Sequence, residues 1–334
     1  MKKNSRRNFL TNTAALCVAA SLPSYISEAQ VHSEKRIGII GLDTSHSIAF
    51  TKALNAANPD PDYAGYQIIA AYPYGSKTIE SSYKRIPNYI EEVKKFGVEI
   101  VDSISELLKK TDVILLETND GRLHLEQAIE VLKTGKRMFI DKPVAASLKD
   151  TLAIYEAAEK YKKPIFSSSS LRFLKTIQEI DKSKVTGADM YSPATIEKTH
   201  PDLFWYGIHG VEALFALMGR GCKEVSRIHT QGTDIVTGVW QDGRLGTVRG
   251  LRTGKLYSGG TVFTEEWNYP LGPFEGYEPL LKEIINYFQT GRTPVTPEET
   301  IEIFAFMEAA DESKRQGGTP VTLESILAKA RRDK

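Results

Sequence analysis

From Arg36 onward, short apolar runs alternate with stretches in which apolar residues recur every three or four positions. The runs Ile37-Gly38-Ile39-Ile40, Gln67-Ile68-Ile69-Ala70-Ala71, Ile100-Val101, Val113-Ile114-Leu115-Leu116 and Met138-Phe139-Ile140 predict strands. Helices are predicted over 47–55, 90–96, 104–110 and 125–135, the last closed by Thr134-Gly135. This alternation predicts βαβ units in a parallel, doubly wound α/β sheet. Pro164-Ile165-Phe166-Ser167 reads as its last strand, which sets a boundary near Ser168. From Thr186 the pattern changes to Gly-, Thr-, Val- and Tyr-rich strands, such as 234–240, 246–251 and 260–263. These predict an open, mainly antiparallel sheet with hairpin turns at Asp242-Gly243 and Thr253-Gly254. The stretch 206–218 reads as a helix with His209 on its first turns.

The expected architecture is a Rossmann-like domain over 34–168 and a C-terminal α+β domain over 169–334. Ahead of both, Ser5-Arg6-Arg7-Asn8-Phe9-Leu10 matches the twin-arginine export pattern, and an apolar run follows it over 13–22. That run is too short to span a bilayer. Ser27-Glu28-Ala29 has small residues at cleavage spacing, so 1–29 reads as a signal peptide for the twin-arginine (Tat) export machinery. The mature protein is then expected in the periplasm. Leu16 stands where lipidation at Cys17 needs a small residue.

The chain has 43 Lys and Arg against 42 Asp and Glu. The signal segment carries Lys2, Lys3, Arg6, Arg7 and Glu28, so the remainder is slightly acidic. Such a chain lacks the basic footprint of a nucleic-acid binder. Beyond the signal Cys222 stands alone, so no intramolecular disulfide can form.

The first strand-to-helix turn should carry Gly-x-Gly-x-x-Gly/Ala if it cradles a pyrophosphate. It reads Gly41-Leu42-Asp43-Thr44-Ser45-His46, with Asp43 and His46 in the second and third small-residue places. Asp43 there adds bulk and like charge beside a phosphate. A dinucleotide can still rest on the helix end if Thr44 and Ser45 donate to it, and the same residues can simply cap the helix. After the second strand, Tyr72-Pro73-Tyr74-Gly75-Ser76 offers no carboxylate for ribose hydroxyls. Tyr72 can stack on an adenine, and Ser76 or Lys77 can meet a 2′-phosphate. Asp141-Lys142-Pro143 follows an apolar strand at its carboxyl end, where α/β proteins bind ligands, and Lys142 there is either a proton-handling group or a solvated loop lysine.

Gly135-Lys136, Asp141-Lys142-Pro143-Val144-Ala145, Leu171-Arg172-Phe173, Trp205-Tyr206-Gly207-Ile208-His209 and the segment 290–299 resemble the glucose–fructose oxidoreductase/inositol dehydrogenase (Gfo/Idh/MocA) family. The resemblance runs from about residue 35 to residue 323. It implies NAD or NADP as cofactor, a sugar or polyol as substrate and a homo-oligomer built on the open sheet. It also implies that Lys142 and His209 flank the reacting carbon, and that Thr118, Asn119 and His124 form the nicotinamide-side loop. Asp141 and Pro143 belong to the same cofactor wall. The family's Asp-x-Gly-x-His has Trp205 in the Asp place, where an indole can floor a sugar ring. Arg172 and Tyr206 count among the expected substrate-side residues.

Glu212, three residues after His209, is placed to orient its imidazole, and Glu197, His200 or Asp202 can replace the missing Asp from a loop. His209 can also be an ordinary packed helix histidine. His200, Asp202 and His209 match no compact metal signature, so no metal site is assigned. Three functions stay open: a hydride-transferring oxidoreductase, a lyase, epimerase or hydrolase of oxidised sugars, and a sugar-binding module.

Overall fold

The computed structural model describes residues 35–332; the twin-arginine segment, Cys17 and the expected cleavage site lie outside them. Strands β1 (Arg36–Ile40), β2 (Gln67–Tyr72), β3 (Glu99–Ile100), β4 (Val113–Leu116), β5 (Arg137–Ile140) and β6 (Ile165–Phe166) form one sheet in the order β3-β2-β1-β4-β5-β6. Every pairing in it is parallel. All four residues of β4 are buried, as a strand covered on both faces requires. The crossover helices begin at side-chain caps: Thr44 for Ser45–Leu54, Ser103 for Ile104–Lys110 and Ser147 for Leu148–Lys160.

The second sheet contains β7 (Val185–Pro193), β8 (Cys222–His229), β9 (Thr233–Trp240), β10 (Leu245–Leu251), β11 (Gly259–Thr264), β12 (Asn268–Pro270) and β13 (Val321–Thr322). Its order is β12-β11-β7-β10-β9-β8-β13, antiparallel throughout except for the parallel pair β10–β7. The Asp242-Gly243 turn does join the antiparallel pair β9–β10. The Thr253-Gly254 turn does not make a hairpin, because β7 lies between β10 and β11. The edge of β10 is already paired along seven residues with β7, so the chain must cross over before β11 can pair. Helix Ile208–Met218 lies on this sheet because Gly210 has no side chain: a Cβ there would come 2.7 Å from Ser192 Oγ on β7 and 3.0 Å from Val248 Cγ1 on β10.

One late segment returns to the first sheet. Helix Glu278–Thr290 buries Leu280, Leu281, Ile284, Ile285, Tyr287 and Phe288 in the cluster that holds Phe139 and Phe166. The Tyr287 hydroxyl donates to Pro164 O (2.5 Å) and accepts from the Met138 N–H (3.3 Å), pinning β5 and the approach to β6. This docking sets Tyr277 beside the carboxyl ends of the first sheet.

Candidate active site

The order of the first sheet reverses between β1 and β4, and the loops leaving β1, β4 and β5 meet there. Gly41 leaves β1 with φ +93°, and a Cβ on it would lie 2.5 Å from the Thr118 backbone nitrogen. Glycine alone fits, so the β1 loop packs directly on the β4 loop. Asp43 is fully buried, and its carboxylate accepts the Asn119 N–H (2.9 Å) and the Ser76 N–H (3.3 Å). The charge expected to face a phosphate is instead tied into the loops after β2 and β4. Burial pushes this carboxyl up to about 6 despite those two bonds.

His46 opens the first turn of helix Ser45–Leu54 and packs edge-on against Tyr277 at 4.4 Å between ring centres. Its Nδ1 lies 3.0 Å from Asp141 Oδ1, just past β5, and 3.9 Å from Glu117 Oε2, just past β4. Both carboxylates are 0% exposed. Burial and repulsion by Asp141 hold Glu117 well above the ordinary carboxyl range. Burial would raise Asp141 as well, but His46 and Lys142 beside it keep it low. The Lys142 backbone N–H donates to Asp141 Oδ1 at 2.8 Å.

His209 reaches the same place from the second sheet. Its Nδ1 lies 2.7 Å from Ser169 Oγ. Burial, then the charge of Lys142, push this imidazole well below its ordinary range, so it is neutral at physiological pH. Thr44, Ser45, His46, Asn119, Lys142, Tyr206 and His209 line one cavity of about 320 Å³, closed on the far side by Leu256, Tyr257, Phe274 and Tyr277. Lys142 Nζ stands 5.8 Å from the centre of the Tyr206 ring. A second cleft of about 760 Å³ runs past Tyr72, Tyr74, Lys77 and Arg122, with Asp102, Asp120, Glu126 and Glu130 on its walls. Thr44, Ser45 and His46 bring the amino end of helix Ser45–Leu54 to the cavity, and that end suits a pyrophosphate, so these residues fit a dinucleotide.

Several expected site residues are used elsewhere. Glu212 does not touch His209: it accepts from Arg172 Nε (2.8 Å) and Ser168 Oγ (3.5 Å), because its side chain faces the loop after β6. Arg172 is spent on Glu212 and Glu299, at 2.8 and 2.6 Å, and does not line the cavity. Asp202 pairs with Arg227 (2.8 Å) and Lys314 (2.6 Å) and cannot stand in for the missing Asp. His200 accepts the Gly121 N–H at 3.2 Å, clamping a second-half loop onto the β4 loop. Trp205 is buried against the His200 ring, 5.0 Å between centres, so Tyr206 and not the indole faces the cavity. His124 bridges the Thr118 and Val144 carbonyls at 2.6 and 3.2 Å, behind the cavity wall. Thr118 and Pro143 are likewise buried behind that wall. Sequence reasoning missed Glu117, Ser169 and Tyr277. A carboxylate directly after an all-apolar strand signals Glu117, and the serine run 167–170 after β6 signals Ser169. Nothing local signals Tyr277.

A doubly wound sheet with its crevice at the switch point is an architecture that dinucleotide-binding domains use. Residues 35–169 match the model of the Gfo/Idh/MocA oxidoreductase family, NAD-binding Rossmann fold, and form an NAD-binding Rossmann domain. Among solved structures, a probable dehydrogenase from Thermotoga maritima superposes with TM-score 0.72 at 19% identity, covering 87% of this chain and 99% of that one. Scyllo-inositol dehydrogenase from Lactobacillus casei, solved with NAD(H) and scyllo-inositol, gives TM-score 0.68 at 14% identity, covering 86% and 99%. Myo-inositol dehydrogenase from the same organism, solved with NAD(H) and myo-inositol, gives 0.67 at 13% identity, covering 86% and 96%. No curated protein matches the chain by sequence.

Proposed function

We propose that this protein is an exported oxidoreductase that transfers a hydride between NAD(P) and a hydroxyl-bearing carbon of a sugar or polyol. The observation that carries this reading is the meeting of Lys142 and His209 in one cavity walled by the amino end of helix Ser45–Leu54. NAD bound there supplies the hydride-accepting carbon. The chain's own residues manage the proton. In the tautomer whose Nδ1–H donates to Ser169 Oγ, 2.7 Å away, His209 keeps Nε2 as the acceptor for the hydroxyl proton. Ser169 is itself fixed by the Leu171 N–H, which donates to its Oγ at 3.1 Å. The Lys142 ammonium steadies the alkoxide that develops, and Tyr206 supplies an apolar ring face beside it. The neutral state of His209 suits it to this role, since a protonated imidazole could not accept.

Export and assembly belong to the same proposal. The Arg6-Arg7 pattern supports periplasmic delivery of a protein already folded around its cofactor. The outer face of the second sheet exposes Tyr191, Ile228 and Leu245, which suits pairing with a second copy. The test is to purify the full chain from the cytoplasm, denature it and assay the supernatant for a nicotinamide nucleotide. Near-stoichiometric release, with sugar-dependent reduction of that nucleotide by the intact protein, is expected. Absence of both release and NAD(P) binding by calorimetry would refute the reading.

A further inference from the structure

We infer that His46, Glu117 and Asp141 form a binding site for one divalent first-row transition-metal ion at the floor of the cavity. Nδ1 of His46 and one oxygen of each carboxylate all lie within 4.8 Å of one another. The two measured edges from Nδ1, 3.0 Å to Asp141 and 3.9 Å to Glu117, bracket the separation of about 3.4 Å that ligands keep around a tetrahedral ion with bonds of roughly 2.1 Å. One imidazole nitrogen with two carboxylate oxygens is a donor set for Mn²⁺, Fe²⁺ or Zn²⁺ rather than for a soft or an all-oxygen ion.

The second, independent observation is that the acceptors are idle. Both Glu117 oxygens and Asp141 Oδ2 are buried and have no hydrogen-bond partner. A buried carboxylate without donors is expensive, and such groups normally end up neutralised, paired or metal-bound. Lys142 is the nearby cation, while Asp43 adds a further negative charge, so the cluster carries more acid than the chain balances. A dication removes that excess. His46 also lines the cavity, which gives the ion a route in. The three ligands come from loops after β1, β4 and β5, so the ion would tie the switch point together. This inference is independent of hydride transfer, because it concerns the nucleotide-free protein.

The competing explanation is that Glu117 simply stays protonated. The full chain, stripped with chelator and free of nucleotide, would be titrated with Mn²⁺ and with Zn²⁺ by calorimetry, alongside Glu117→Gln and Asp141→Asn. One ion per chain is expected, with affinity lost by about 100-fold or more in each variant, a higher melting temperature on metal addition, and ¹⁴N coupling from His46 in the pulsed EPR of the Mn²⁺ form. Where a variant does not fold, the wild-type titration and the EPR signal decide alone. Binding no tighter in wild type than in a folded Glu117→Gln, or no imidazole coupling, would overturn the assignment and leave the protonated acid in its place.

Discussion

Asp43→Asn separates two accounts of why a carboxylate can replace a glycine in a phosphate-binding turn. In the structure the side chain accepts two peptide N–H groups, from Asn119 and Ser76, and is fully buried. Its carboxyl moves from 3.8 to about 6 on folding, chiefly through burial. An acid raised on folding favours the folded state in its protonated form. Its contribution is therefore complete below the unfolded value of 3.8 and is lost as pH rises through about 6. That displacement corresponds to roughly 3 kcal/mol. Asparagine cannot titrate and presents one amide N–H where an oxygen stood, so one buried donor loses its acceptor at about 1–3 kcal/mol. Wild type should thus exceed the variant most near pH 4, and the gap should shrink by up to about 3 kcal/mol toward pH 7.5. Urea unfolding midpoints at matched ionic strength across that range would measure it. A gap that is flat with pH, or that widens toward neutrality, would refute the buried-staple account. NAD affinity supplies a second readout: because the carboxylate is held by the β2 and β4 loops, Asp43→Gly should loosen those loops and not tighten cofactor binding. A clear gain in affinity would restore the view that Asp43 opposes the phosphates.

Lys142→Ala and His209→Ala should each lower kcat for polyol oxidation on the order of 10²-fold, with the double variant little worse than either single one, since both serve the same developing alkoxide. Additive losses in steady-state kinetics would separate their roles. Glu212→Ala leaves the buried Arg172 guanidinium with Glu299 alone, so calorimetry should find roughly 3–5 kcal/mol lost, and a loss under about 1 kcal/mol would contradict the pairing. The cleft beside Tyr72 carries Asp102, Asp120, Glu126 and Glu130 against Lys77 and Arg122, and Arg122 is already bonded to Asp120 at 2.8 Å. A 2′-phosphate meets net negative charge there, so NAD should bind on the order of tenfold more tightly than NADP in calorimetry. Preference for NADP would show that Lys77 governs the cleft.

The succession of strands and helices in the first half was legible in the chain because each buried strand is a continuous apolar run and each crossover helix has its own period, and both signals are local. Helix Ile104–Lys110 and strand Val113–Leu116 fall where the pattern puts them. Gly41 in its turn and Lys142 at its strand end were legible as well, since turn chemistry and strand ends announce themselves in a few residues, whereas His209 was picked out only through the family resemblance. What each side chain faces was not. Glu212 turns to Arg172 rather than to His209 and Asp202 joins Arg227, because partners more than twenty residues away decide those rotamers, while Trp205 turns from the cavity to pack on His200. Helix Glu278–Thr290 looks like any amphipathic helix in sequence, and only its docking on Phe139 and Phe166 brings Tyr277 against His46. The convergence of His46, Glu117 and Asp141 is of the same kind. Glu117 and Asp141 follow β4 and β5 directly and His46 opens the helix after β1, and they meet only because the sheet order places β1, β4 and β5 side by side. Local periodicity fixes which segments become strands and helices; the pairing of strands distant in sequence decides which acids, bases and rings share one cavity.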